Sequence, residues 1–222
     1  MTLHKANSRL AGTGTLLDHE GLTALHARLR DFRLASLHDD GSQERRMLYF
    51  VQGLRFSAEL IYEIRNLLSS TTVKVHWGHI LRGEDILCSP ECDIILHRDG
   101  KRRSWNGNHE EPVFDFWFVQ PEAVNAVVSC KSLIRSPSDV DDKFCKDLRG
   151  YGVKRIWLFA ECCDRAKVDS IAARAKRAGY DRFFHLYTLD SKTGSDTPSK
   201  SSWDAFAKAV RALEKPARSR KP

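Results

Sequence analysis

Asp93 and Lys131 are the residues whose types and settings could do chemistry. Asp93 falls in Pro90-Glu91-Cys92-Asp93-Ile94-Ile95-Leu96, a carboxylate set before a run of aliphatics. Lys131 closes a second apolar run, Ala126-Val127-Val128-Ser129-Cys130-Lys131-Ser132. Both runs are short and β-branched, which predicts buried strands rather than helices. An unpaired buried ion is costly, so a charge ending such a strand has a partner or a task. A carboxylate and a lysine on neighbouring strands could hold a divalent cation and an activated water. The plainer alternative is a structural salt bridge between strand ends.

The elements that must position this pair can be read in order. Leu22, Leu25, Leu29 and Phe32 recur at helical spacing and predict an amphipathic helix after a loose arm. A longer helix is expected from Gln43 to Leu68, with Gly53 as its weak point. Glu59 and Glu63 share one of its faces, either as a solvated pair or with one of them pointing at Asp93. Val73–Trp77 alternates like a strand, and Gly78 permits a bend. Phe114–Val119 reads as another strand, and Gln120-Pro121-Glu122 turns the chain back into the Lys131 strand. The run Lys101, Arg102, Arg103 is expected in a polar loop, where it could line a phosphate path or simply be solvated. A helix to about Leu148 follows, with Ser138 as candidate N-cap and Asp141 completing a capping-box-like pattern. Strands at Lys154–Ala160 and Arg182–Tyr187 flank a helix over Lys167–Ala178. Ser191–Ser202 is expected to be a loop, Trp203–Leu213 a final helix, and the basic tail from Lys215 unstructured. Strands first, then strands alternating with helices, predict an α/β protein with a mixed sheet flanked by helices.

At 222 residues, 41% hydrophobic and 29% charged, the chain has the composition of a globular domain rather than a disordered one. No stretch nears the roughly 18 apolar residues that span a bilayer. The N-terminus lacks an apolar core of signal-peptide length. Six cysteines, two of them adjacent at Cys162 and Cys163, do not resemble a disulfide framework, so a cytoplasmic setting without membrane contact is expected. A net charge of +7 favours a polyanionic partner.

This order of elements, with an acid on one strand and a lysine ending the next, resembles the PD-(D/E)xK nuclease superfamily from about Arg55 to Tyr187. Within it, Ser89-Pro90-Glu91-Cys92-Asp93 and Pro121-Glu122-Ala123-Val124-Asn125-Ala126-Val127-Val128, leading to Lys131-Ser132, resemble a group of uncharacterised bacterial domains. The resemblance implies a restriction-endonuclease-like mixed sheet with N-terminal helices. It implies a metal-dependent DNA endonuclease of restriction or defence type that uses Mg²⁺ or Mn²⁺. The partner it implies is double-stranded DNA, with a homodimer as a possible assembly.

One departure matters. The family pattern has glutamate two residues before the lysine, and this chain has Ser129. Some restriction endonucleases of the superfamily carry Ser-x-Lys and supply the acid from the following helix, fourteen residues after the lysine. That spacing falls on Cys145 here, with Asp141 one turn earlier and Asp142 beside it. By resemblance, Asp93 and the Cys130 carbonyl would hold metal, and Lys131 would position the attacking water. Glu59 or Glu63 would complete the shell, and Asp141 or Asp142 would replace the missing acid. The alternative is a catalytically inactive nuclease-fold protein that binds nucleic acid. A third reading, zinc on Cys88, Cys92 and His97, lacks a complete ligand pattern. The organisation expected is an arm and helix over 1–42, a nuclease-like core over 43–190, and a loop, helix and basic tail over 191–222.

Overall fold

A computed structural model describes residues 21–25, 27, 29, 42–82, 88–98, 102–105 and 116–214. Its strands are β1 (Val73–Ile80), β2 (Cys92–Arg98), β3 (Arg102–Trp105), β4 (Phe116–Val119), β5 (Val124–Ile134), β6 (Ile156–Asp164), β7 (Arg182–Leu189) and β8 (Asp196–Pro198). They form one sheet in the order β3-β4-β1-β2-β5-β6-β7-β8. The sheet is mixed, as the sequence predicts. β2 pairs antiparallel with β1 and β5, while β5, β6 and β7 run parallel. The helices are α1 (Ser42–Leu67), α2 (Lys143–Gly150), α3 (Val168–Arg177) and α4 (Lys200–Ala212).

Alternation along the central strands splits the core into two layers. On one face Ala126, Val128, Trp157 and Phe159 meet Phe56, Leu60 and Ile64 of α1 and Trp203 and Phe206 of α4. Leu22, Leu25 and Leu29, the apolar stripe predicted near the N-terminus, are buried in this layer. On the other face Val127, Leu158 and Ala160 meet Cys145 and Leu148 of α2 and Ile171 and Ala175 of α3. β6 is buried along its whole length, as expected of a parallel strand covered on both faces.

Several expectations shift. α1 passes through Gly53 unbroken, its apolar face supplying what glycine's poor helix propensity withholds. The strand at Val73 runs on to Ile80, with an irregularity between His76 and Gly78 against β2. Gly78 is required there, because a Cβ at that position would fall 1.9 Å from the Trp117 carbonyl oxygen. The helix cap predicted at Ser138 and Asp141 is instead made by Ser136 and Asp139, around a 3-10 turn at Pro137–Asp139. Proline favours the first position of a helical turn, which moves the cap to the residue before it. The helix proper starts only at Lys143. Arg102 and Arg103 belong to β3 rather than to a loop, and the loop expected at Ser191–Ser202 contains β8 and the start of α4. Both strands are short, polar edge strands, which carry little hydrophobic alternation. Lys101 and the basic tail from Lys215 lie outside the described residues.

Candidate active site

The pairing of Ile94 with Val128 sets Asp93 against Ser129. Ser129 and Lys131 are two residues apart on β5 and share the sheet face that carries α2 and α3. Cys130 points the other way, and its thiol meets the Ser57 hydroxyl of α1. The Cys130 amide donates to Asp93 Oδ2 at 2.7 Å, fixing the carboxylate beside the strand. Burial raises the Asp93 pKa. The Cys130 amide, the Lys131 ammonium and the Ser129 hydroxyl oppose that rise, while Glu91 adds to it. Lys131 is exposed and makes no direct ion pair among the described residues, although its charge acts on Asp93. The plain salt bridge is therefore not what joins the two strand ends.

Behind Ser129 lies a polar cluster with no signal in the local sequence pattern. The Tyr180 phenol, from the turn after α3, interacts with both Ser129 and the Cys145 thiol. All three side chains are buried. Burial pushes the Cys145 thiol up to about 11 and raises the Tyr180 phenol as well, so both are neutral at physiological pH. Cys145, the position singled out by spacing, thus does reach the neighbourhood of Ser129. It does so as a neutral thiol linked through a phenol, not as an acid. Only the fold brings Tyr180 there, which is why local pattern could not reveal it.

The helix acids are placed differently from one another. Asp139 accepts the amides of Arg135 and Ser136, a capping role. Asp142 pairs with Lys146 at 2.8 Å, and that contact lowers its pKa. Asp147 pairs with Lys143. Asp141 accepts the Lys143 amide through Oδ1, and its charge is felt by both Cys145 and Tyr180. Glu59 and the buried Glu63 belong to α1, which covers the face opposite Ser129 and Lys131. Arg102 and Arg103 lie on the outer strand β3, with β4 and β1 between them and β2.

The described residues contain no group of three His, Cys, Asp or Glu side chains that could hold a metal ion. This counts against the zinc reading. Cys92 Sγ bonds to the Pro90 carbonyl, and His97 Nε2 lies 2.8 Å from His76 Nδ1. It does not count against Mg²⁺, which keeps several waters and binds through one or two carboxylates together with substrate phosphates. The partly exposed Asp93 carboxylate, disfavoured by burial, fits such an ion. Among the described residues no helix is long and apolar enough to cross a membrane.

The sheet order and the helices packed on both faces make a restriction-endonuclease-like α/β fold, which solved structures share. Two similar solved structures are NucC of P. aeruginosa ATCC27853 and NucC of E. coli MS115-1, both in a cAAA-bound form. The first has a TM-score of 0.53 at 10% identity, covering 90% of this chain and 92% of that one. The second has a TM-score of 0.53 at 9% identity, covering 92% of each chain. No family model and no curated protein matches the sequence.

Proposed function

We propose that the protein is a metal-dependent DNA endonuclease of defence type, with Asp93 and Lys131 as its catalytic pair. The observation that carries this reading is the placement of Lys131: exposed, acting electrostatically on Asp93, yet not neutralised by it. A lysine held only to stabilise the strand ends would close on the carboxylate. This one is left available to a phosphate and a water. The fold shared with the two NucC structures supports a defence role.

Asp93 and the Cys130 carbonyl would hold Mg²⁺ or Mn²⁺, with substrate phosphate and water filling the rest of its shell. When bound, that ion neutralises charge developing on the phosphate. Lys131 orients the attacking water and stabilises the same charge. Asp141 is the better placed of the two helix acids to stand in for the missing glutamate, since Asp142 is committed to Lys146. Glu59 and Glu63 lie on the far side of the sheet and are the weaker candidates. A homodimer of such chains would cut both strands of duplex DNA.

Cleavage of supercoiled plasmid with Mg²⁺ or Mn²⁺ tests the reading. Asp93→Ala and Lys131→Ala should each lose activity by about 100-fold or more, the cost of removing one electrostatic stabiliser from a preorganised site. A wild type that cuts neither DNA nor RNA, yet binds in a salt-dependent way, would make this a binding protein instead. Equal cleavage by all three proteins would remove Asp93 and Lys131 from the chemistry.

A further inference from the structure

The end of the sheet where β6 and β7 begin carries a cluster of cations that the catalytic pair does not use. β6 and β7 both begin there, and α2 and α3 both end there. Lys154 and Arg155 precede β6, Arg182 opens β7, and Lys176 and Arg177 close α3. All five side chains are exposed. Arg149 and Arg82 join them at the end of α2, where Arg82 Nη1 donates to the Gly150 carbonyl.

One acid, Asp181, ties together elements that carry these residues. Its carboxylate accepts from Arg149 Nη2 at 2.9 Å and from the Ile156 amide at 2.7 Å, tying α2, β6 and β7 into one corner. Arg149 is further occupied by the Val153 and Gly179 carbonyls. Asp181 is thereby spent on the scaffold. Lys154, Lys176, Arg177 and Arg182 have no ion-pair partner among the described residues. Cations near helix C-termini favour the helix dipole, which accounts for Arg149, Lys176 and Arg177. It does not account for Lys154, Arg155 and Arg182, which flank strands.

We propose that this corner is a phosphate-backbone docking surface for double-stranded DNA. The proposal rests on the nuclease reading for the identity of the polyanion. The geometry suits one strand reaching both places. Ile156 pairs with Val127 and Ala160 with Lys131. The corner therefore starts about 13 Å from Lys131 along the sheet, taking ~3.3 Å per residue. Along a duplex axis that is the rise of about four base pairs. Contacts of this kind position a duplex without reading its sequence.

The test is binding of a short labelled duplex in EDTA across a salt series, so that cleavage plays no part. Wild type is compared with a triple variant, Lys154→Ala, Arg155→Ala and Arg182→Ala. The control is Lys192→Ala, Lys200→Ala and Lys208→Ala, which removes the same charge from other exposed sites. The corner variant should bind about tenfold or more weakly, with its salt slope reduced by about three, one for each lost phosphate contact. The control should keep most of the wild-type affinity and slope. Equal weakening in both variants overturns the proposal, because general charge would then explain the binding. So does unchanged binding in the corner variant, or a wild type that does not bind duplex. A wild type that binds through the corner yet never cuts leaves the docking surface standing and removes the nuclease reading.

Discussion

The Cys130 backbone amide donates to Asp93 Oδ2 at 2.7 Å, so the strand carrying Lys131 also orients the carboxylate opposite it. This bond favours the charged carboxylate, and so do Lys131 and Ser129, yet burial outweighs them and raises the Asp93 pKa. The site is held ready at some expense to stability.

The sign of that expense is testable. A carboxyl whose pKa is higher in the folded than in the unfolded chain contributes stability below the unfolded value, about 3.9 for aspartate. The contribution is lost as pH rises through the folded value. Asp93→Asn should therefore melt at or above the wild-type temperature at neutral pH. The difference should shrink as the pH is lowered toward that ordinary aspartate value. Thermal melts across pH, read beside plasmid cleavage, should show stability retained while activity is lost.

Tyr180→Phe should destabilise the protein by about 1–2 kcal/mol, because the buried Ser129 and Cys145 groups lose a partner. Combined with Ser129→Ala, the two losses should fall short of additive by about 0.5 kcal/mol or more, as expected of residues that interact directly. Urea denaturation of the two single variants and the double variant measures this directly.

Asp141→Asn should weaken cleavage most at limiting Mg²⁺, and Asp142→Asn should do so far less. The reason is the Lys146 pair, which occupies Asp142 on the helix surface. A metal titration of plasmid cleavage for both variants separates them. Equal titration curves would deny Asp141 a share in metal binding.

Gly78→Ala should cost about 3 kcal/mol, in line with forcing extra volume into a packed site. The added methyl would meet the Trp117 backbone, so β1 and β4 would have to part. Chemical denaturation gives the size of the loss.

What the sequence disclosed follows from how each feature is encoded. β2 and β5 were legible because β-branched runs flanked by a charge are uncommon, and the helices of the α1–α4 layer were legible from their apolar spacing, whereas α2 was read from a cap pattern. β3 and β8 were not, because short edge strands of polar residues lack the alternation that marks burial. The cap was misplaced by two residues, since Ser136 and Ser138 both precede a plausible acid and only the turn at Pro137 decides between them. The Ser129–Tyr180–Cys145 chain joins three elements far apart in sequence, so no local pattern encodes it.

Cys162 and Cys163 are neighbours in β6, yet Cys162 is buried in the α1–α4 layer and Cys163 in the α2–α3 layer. Burial pushes the Cys163 thiol up to about 12, so it stays unreactive while its layer is closed. Two adjacent thiols thus act as separate clocks for the two halves of the molecule. A pulse of thiol-specific label during unfolding, followed by peptide mapping, would record which helical layer lifts from the sheet first.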